Sequence, residues 1–282
     1  YVYDTLLDAD IDRSATIVSL GTSVVEDVAG FAAATYLRGV DLVHCPTNLI
    51  AMIDTSIGGK VGLDRPHGRN LVGLFKQPKA VVADVATLQT LDPREFAAGM
   101  AEVVKHGLIA GSDLLAQVEA GEWTAADNAL PGALGRLQAL VAQAIQVKIA
   151  IVQEDPFEEG RRAVLNLGHT FAHAIEHVTD GEVNHGEAVG VGLVAAARLS
   201  ERGGVANPGL SEYVESLVSH VGLSARLPGY ASPGKLVEAM RRDKKRRGGR
   251  LRFVLLRDVG DVFVTDDVSG DDLVALLDSL NP

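Results

Sequence analysis

The sequence predicts an α/β domain over residues 1–92, built on a parallel sheet, followed by a mainly α-helical domain over residues 93–282. Three observations carry that prediction. The run Ala15-Thr-Ile-Val-Ser-Leu20 is short and apolar and ends at Gly21, which is the pattern of a strand buried on both faces. Runs of this kind then alternate with segments of helical period, as strands and crossover helices do in a parallel sheet. After Asp92-Pro93 the period becomes helical almost throughout.

Taken in order, a helix is expected over 24–37, where Val24, Val28, Phe31, Ala32 and Thr35 recur at helical spacing. Leu42 to Cys45 reads as the next strand, Thr47 to Asp54 as a helix start and Ala80 to Asp84 as a further strand. The stretch from Ile57 to Gln77 is rich in Gly, Pro, Lys and Arg and reads as functional loops. Beyond it, helices are expected over 93–110, 112–119, 131–153, 161–177, 186–202, 209–222, 233–242 and 270–279. A hairpin is expected from the runs 251–256 and 262–264.

Of the 282 residues, 47% are apolar and 22% charged, the balance of a globular domain. A net charge of −11 argues against a nucleic-acid partner but leaves room for a local basic pocket. The single cysteine, Cys45, cannot form an internal disulfide, which fits a reducing cytoplasm. No run of 18 uncharged apolar residues is present, so no membrane span is expected. The first residue is Tyr, so the chain is expected to begin inside a longer coding sequence or to have been trimmed.

Chemistry gathers in three places. In Asn166-Leu-Gly-His-Thr-Phe-Ala-His-Ala-Ile-Glu176, residues Asn166, His169 and His173 fall at i, i+3 and i+7, one polar stripe on an apolar helix. His185-Gly-Glu-Ala-Val189 follows on the next helix. His169 and His185 suit zinc or a similar divalent ion, and Glu102 in Ala101-Glu-Val-Val-Lys105 is the best third donor. The competing reading is that these histidines are ordinary hydrogen-bonded groups. Two histidine motifs on successive helices favour the metal, while His44, His67, His106, His177 and His220 take the ordinary reading.

The second place is cationic. Lys60 follows Gly58-Gly59 and Arg69-Asn70 follows Gly68, with Arg38, Lys148, Arg162 and Asp243-Lys-Lys-Arg-Arg247 able to add charge for phosphate or carboxylate. The third is the turn Gly21-Thr-Ser-Val-Val-Glu-Asp27. It joins a strand to a helix start and is either a pyrophosphate seat or an ordinary tight turn.

Together these motifs resemble the 3-dehydroquinate synthase family of sugar-phosphate cyclases. The matching stretches are Gly30–Gly39, Pro46-Thr47, Ile53–Lys60, Gly68-Arg-Asn70, Gln77-Pro78, Ala101–Lys105, Leu165–Thr170, His185–Ala188 and Asp243-Lys-Lys245, in family order. The resemblance implies a partial Rossmann-like, NAD-binding domain over 1–92 and a helical metal- and substrate-binding domain over 93–282. It implies NAD, one divalent metal (zinc or cobalt) and a cytoplasmic homodimer. The implied reaction is the conversion of 3-deoxy-D-arabino-heptulosonate 7-phosphate to 3-dehydroquinate and phosphate in the shikimate pathway. In it, transient oxidation acidifies a C–H, phosphate leaves, the ketone is reduced, and ring opening and aldol closure follow.

By position, the resemblance makes Glu102, His169 and His185 the metal ligands. Catalytic and substrate contacts fall to Lys60, Lys105, Lys148, Arg162, Asn166 and His173. Asn70 and Lys244 also bind substrate, and Arg38 reaches a phosphate across a dimer interface. Ser23, Asp27, Thr47, Asn48, Asp54, Lys60, Arg69, Thr87, Leu88 and Thr90 line the NAD site.

Departures cluster on the nucleotide side. The family's three-glycine turn reads Gly21-Thr22-Ser23, the glycine before Asp27 is Glu26, the paired threonines read Thr47-Asn48, and the lysine before Asn70 is Arg69. The family's first strands and helices would precede Tyr1. His106 stands where the family usually has an aromatic. Arg162 and Asn166, placed for a substrate carboxylate, favour the heptulosonate over sedoheptulose 7-phosphate or glucose 6-phosphate. The glycine-flanked Lys60 and Arg69 loops speak against an alcohol dehydrogenase. A non-catalytic homologue with impaired NAD binding is the remaining alternative.

Overall fold

A computed structural model describes residues 1–65, 68–123, 132–229, 231–246 and 251–280, without the side chains of residues 64, 65, 68–70, 242–246 and 271. The chain forms two compact units: Tyr1–Leu91 with Pro131–Phe157, and Asp92–Leu130 with Glu158–Pro282. The first unit thus takes in residues 131–157 as well as residues 1–91.

In the first unit, α1 (Val2–Asp8) leads to β1 (Thr16–Gly21), α2 (Ser23–Thr35) and β2 (Asp41–Pro46). The hairpin β3 (Lys60–Arg65) and β4 (Gly68–Phe75), the short β5 (Ala80–Val81) and a 3-10 segment Val85–Thr90 follow. Strands β1, β2 and β5 form a parallel sheet in the order β1-β2-β5, with Thr16 opposite Asp41 and Val43 opposite Ala80. Helix α2 covers it, and Ala33, Tyr36, Val40 and Leu42 form a buried core with Leu6, Ile11 and Ile17 packed against it. The Tyr36 hydroxyl donates to Ile11 O at 2.6 Å, so the one polar tip in this core is satisfied.

Two expectations change here. The segment 57–77 is largely an antiparallel hairpin, with Lys60 opposite Phe75 and Leu63 opposite Val72. Its glycines hide the alternation that marks a strand. The helix start after Thr47 widens into a π turn over Ala51–Thr55, closed by Ser56 N donating to Ala51 O at 3.1 Å.

Helix α5, here numbered after α3 and α4 of the other unit, spans Ala133–Glu154 and packs on the π turn and on the 85–90 segment. It is long and apolar enough by length and composition to cross a membrane. Its buried residues Leu137, Leu140, Val141, Ala144 and Ile151 recur at helical spacing, which is how a core helix of a globular unit reads.

The second unit holds α3 (Pro93–Ala110), α4 (Ser112–Ala120), a 3-10 segment Arg161–Asn166, α6 (His169–Val178), α7 (His185–Arg202), α8 (Leu210–His220), α9 (Pro233–Arg246), the hairpin β6 (Phe253–Asp258) and β7 (Asp261–Thr265), and α10 (Gly270–Asp278). Helix α7 is apolar all round from Ala188 to Ala197 and lies at the centre, against α3, α6, α8, α10 and β6. Two devices set its start. Asn184 Oδ1 accepts from Glu187 N at 2.9 Å while Glu187 Oε2 accepts from Asn184 N at 2.9 Å, a closed capping box. Arg94, on the first turn of α3, grips the same carboxylate with two bonds of 2.6 and 2.7 Å and also reaches Glu182 O at 2.7 Å.

The expected helix 161–177 is broken. Gly168 takes φ 77°, and α6 starts only at His169. Asn166 therefore lies on the preceding 3-10 segment and does not share a helical stripe with His169 and His173. Where α7 meets α3, Gly186 leaves no room for a side chain: a Cβ there would sit 2.1 Å from Ala98 O.

Gly186→Ala should accordingly cost about 3 kcal/mol by forcing α3 and α7 apart. Gly135→Ala on α5, where a Cβ meets nothing within 4 Å, should add about 0.5–1 kcal/mol. Urea unfolding of the two variants checks both signs.

Candidate metal and substrate site

Three helices of the second unit bring one carboxylate and two imidazoles together. Glu102 comes from the middle of α3, His169 from the first residue of α6 and His185 from the first residue of α7. Glu102 Oε1 lies 3.2 Å from His185 Nε2 and 3.5 Å from His169 Nε2. One ligand atom from each residue falls within 4.8 Å of the others. Ligands bound at roughly 2.0–2.1 Å in a tetrahedron sit about 3.4 Å apart, so this spacing suits a zinc-like ion.

The outer atoms decide what the inner ones can be. His169 Nδ1 faces Leu167 O at 3.1 Å and His185 Nδ1 faces Glu176 Oε1 at 3.2 Å. With a metal ion in place, each Nδ1 would keep the proton and each Nε2 would turn a lone pair inward. One carboxylate oxygen and two Nε2 atoms thus lie close enough together to serve as three ligands of one ion.

The electrostatics agree. Glu102 is fully buried, which alone would raise its pKa, but Lys105, His169 and His185 hold it well below the usual carboxylate range. Lys105 Nζ sits 2.5 Å from Glu102 Oε2. Burial and Lys105 push His169 down to about 3. Burial also opposes the charge on His185, yet Glu102 and Glu176 override it and push it up to about 10. A cluster that draws a proton this strongly onto one imidazole is short of positive charge.

Around this cluster, His173 lies half-buried one turn along α6, its ring edge-on to His169 at 5.6 Å. Arg162 is buried on the 3-10 segment, 2% exposed. Asn166 Nδ2 donates to Glu158 Oε1 at 2.8 Å and to Ala163 O at 3.2 Å. The Thr170 hydroxyl donates to Arg252 O at 2.8 Å. The side chains of Arg69, Asn70 and Lys244 lie outside the described residues.

The first unit holds the other predicted residues. Lys60 is exposed at the head of β3. Buried Lys148 on α5 donates to Asp54 O at 2.5 Å and to Asp54 Oδ1 at 2.6 Å, tying two predicted site residues into one pair. Arg38 is exposed on a knuckle where Leu37, Arg38 and Gly39 all have positive φ, of 47°, 69° and 119°. Two consecutive non-glycine residues in that region store strain.

Among the residues predicted for the nucleotide, Asp27 Oδ1 accepts from Gly62 N at 3.2 Å and Asn48 Oδ1 accepts from Ala51 N at 3.0 Å. Thr47 N donates to Gly21 O at 2.9 Å. The Thr87 hydroxyl donates to Asp84 O at 2.8 Å and the Thr90 hydroxyl to Thr87 O at 3.2 Å. Leu88 is buried in the core, so its side chain does not line a surface. Ser23 opens α2, whose N-cap Thr22 makes no side-chain cap bond, which leaves the helix N-terminus fit for an anion.

Glu176 and Glu26 were not among the predicted site residues. Glu176 lies on the stripe of His169 and His173, at i+7 and i+3, and that spacing was its signal. Glu26 was legible only as a departure from a glycine, with no hint of its partner Thr55.

Comparison with known proteins gives this geometry its context. The family model for the 3-dehydroquinate synthase N-terminal region matches residues 1–98, and that for the C-terminal region matches residues 99–246. A 3-dehydroquinate synthase of Synechococcus sp. is 44% identical over 283 residues, covering 100% of this chain and 76% of its own length. The chain thus spans about three quarters of that relative.

Two solved cyclases share the fold. The 2-epi-5-epi-valiolone synthase from Streptomyces hygroscopicus subsp. jinggangensis 5008, with NAD+ and Zn2+ bound, superposes with a TM-score of 0.90 at 27% identity, covering 99% of this chain and 77% of that one. A 2-deoxy-scyllo-inosose synthase in complex with carbaglucose-6-phosphate, NAD+ and Co2+ gives 0.86 at 28% identity, covering 98% and 77%. With both halves of the family matched and a full-length relative well above 30% identity, the chain belongs to the 3-dehydroquinate synthase family.

Proposed function

We propose that the chain is a 3-dehydroquinate synthase, converting 3-deoxy-D-arabino-heptulosonate 7-phosphate to 3-dehydroquinate and phosphate. The observation that carries this reading is the convergence of Glu102, His169 and His185 within ligand distance of one another. Family membership supplies the reaction. NAD and one divalent ion, zinc or cobalt, complete the proposal, in a cytoplasmic homodimer.

Bound NAD would take and return a hydride, and the ion would polarise the substrate oxygens it holds. Glu102, His169 and His185 would hold the ion through Oε1, Nε2 and Nε2. Lys105 keeps Glu102 ionised, and Glu176 keeps the Nε2 lone pair of His185 turned inward. Lys60, Lys148, Asn70 and Lys244 would bind the phosphate and hydroxyls, and Arg162 and Asn166 the carboxylate. His173 is placed to hold or pass a proton beside the metal ligands. Asp27, Thr47, Asn48, Asp54, Arg69, Thr87 and Thr90 would support the nucleotide, several through the backbone bonds they make. Arg38 would reach a phosphate on a second copy, which accounts for an exposed arginine on a strained knuckle.

The direct test is phosphate release from the heptulosonate 7-phosphate, sedoheptulose 7-phosphate and glucose 6-phosphate side by side. Turnover of the first alone is expected. Turnover of only one of the others would move the chain to a different cyclase branch.

His169→Ala should lose bound metal and activity together. Metal analysis of the purified variant reads it, and full occupancy would mean the ligand is misassigned. Glu176→Gln should weaken metal binding by about 10- to 100-fold while leaving the fold intact; a cobalt titration reads that difference. Lys60→Ala should impair phosphate handling, and unchanged steady-state kinetics would contradict its role.

A further inference from the structure

A hydrogen-bonded chain of three side chains lies at the start of helix α2. Glu26 sits on the first turn of α2, 2% exposed. Its Oε2 is 2.8 Å from the hydroxyl of Thr55, which is 3.1 Å from the hydroxyl of Ser23. Ser23 is half-buried at the opening of the helix. The other carboxyl oxygen, Oε1, is buried with no hydrogen-bond partner among the described residues.

The Thr55 hydroxyl has one proton and cannot donate to both neighbours. The chain therefore runs in one of two directions. With Glu26 ionised, Ser23 donates to Thr55 and Thr55 donates to the carboxylate, so the Ser23 proton points inward. With Glu26 neutral, its O–H donates to Thr55, Thr55 donates to Ser23, and the Ser23 proton is free to point out of the helix N-terminus.

We infer that Glu26, Thr55 and Ser23 form a relay whose direction sets anion binding at the start of α2, with Glu26 neutral in the binding-competent state. The ligand class is a dinucleotide pyrophosphate, and this rests on the NAD reading given above. In the ionised state the site loses one donor and gains a negative charge within the first helical turn, so both effects oppose the anion.

The surroundings favour the neutral form at ordinary pH. Burial pushes the Glu26 carboxyl up to about 8. The hydrogen bond from Thr55 lowers it, Asp27 on the same helix raises it, and Lys148 on α5 lowers it. Lys148 is itself taken up by Asp54, beside Thr55 on the π turn.

The test is NAD affinity against pH for the wild type and Glu26→Gln, read by titration calorimetry. The wild-type Kd should rise by about tenfold between pH 7 and about pH 9.5, with a fraction of a proton taken up on binding near pH 8. Glu26→Gln, whose amide cannot ionise, should show a flat profile and no proton uptake. If both proteins bind with the same pH profile, the relay is wrong and the nucleotide reading stands. If neither binds NAD at any pH, the nucleotide reading fails and takes the relay with it.

A second readout needs no nucleotide. The folded protein holds the Glu26 proton up to about pH 8, whereas the unfolded chain releases it near the ordinary value of 4.5. Stability from this group is present at low pH and is lost as pH rises through that window. The melting temperature of Glu26→Gln relative to wild type should therefore climb from pH 5 to about pH 8. A gap that stays constant would show that Glu26 is not a buried acid and would overturn the relay.

Discussion

The buried Glu102 carboxylate is the constraint on which the second unit is built. It lies in the middle of α3 with no solvent exposure, and an isolated charge there would be prohibitive. Lys105 partners one oxygen, and His169 and His185 face the other. A protonated His185 completes that second oxygen's surroundings by donating through Nε2, the place a bound metal ion would take over. The architecture thus presents a place of net negative character that a cation stabilises. With the proposed ion bound, folding and ion binding would be coupled through the same three side chains.

Holding that place to a few tenths of an ångström requires α3, α6 and α7 to keep their relative positions. Small residues bring the helices close, most sharply where Gly186 meets Ala98 O. Gly168 lets α6 start at His169 and so points that ring at Glu102. The Glu187 carboxylate joins the capping box of α7 to Arg94 on α3, beside His185. It follows that the His185-Gly-Glu run is one device: a donor, a close-approach glycine and the clasp that fixes both.

Much of this was legible in the sequence. Histidines on successive helices with a nearby glutamate pointed to the cluster of Glu102, His169 and His185 that the fold brings together, because ligand chemistry restricts residue types strongly. The strands β1 and β2 were legible as apolar runs between turns, but β1 is not buried on both faces as its run suggested, since Val18 and Leu20 are exposed. What failed were the features set by single backbone positions. Gly168 breaks the stripe on which Asn166 was placed, and no periodicity shows where a left-handed residue will fall. The β3–β4 hairpin was hidden because Gly62, Gly68 and Gly73 dilute its alternation. Glu176 was missed although it lies on the His169 stripe, since a carboxylate beyond the donor set carries no spacing rule of its own.

The start of α2 shows how side chains can stand where an anion site could use bare backbone. A glycine turn gives an anion bare backbone and no competing charge. Here the replacements Ser23 and Glu26 are not independent, because Thr55 joins them. A serine alone would add a donor, and a glutamate alone would add repulsion. Linked through one hydroxyl, they offer a donor whenever the acid keeps its proton. The substitution that reads in the sequence as damage to an anion site is then, in three dimensions, a site whose affinity is tied to the charge of one buried carboxyl.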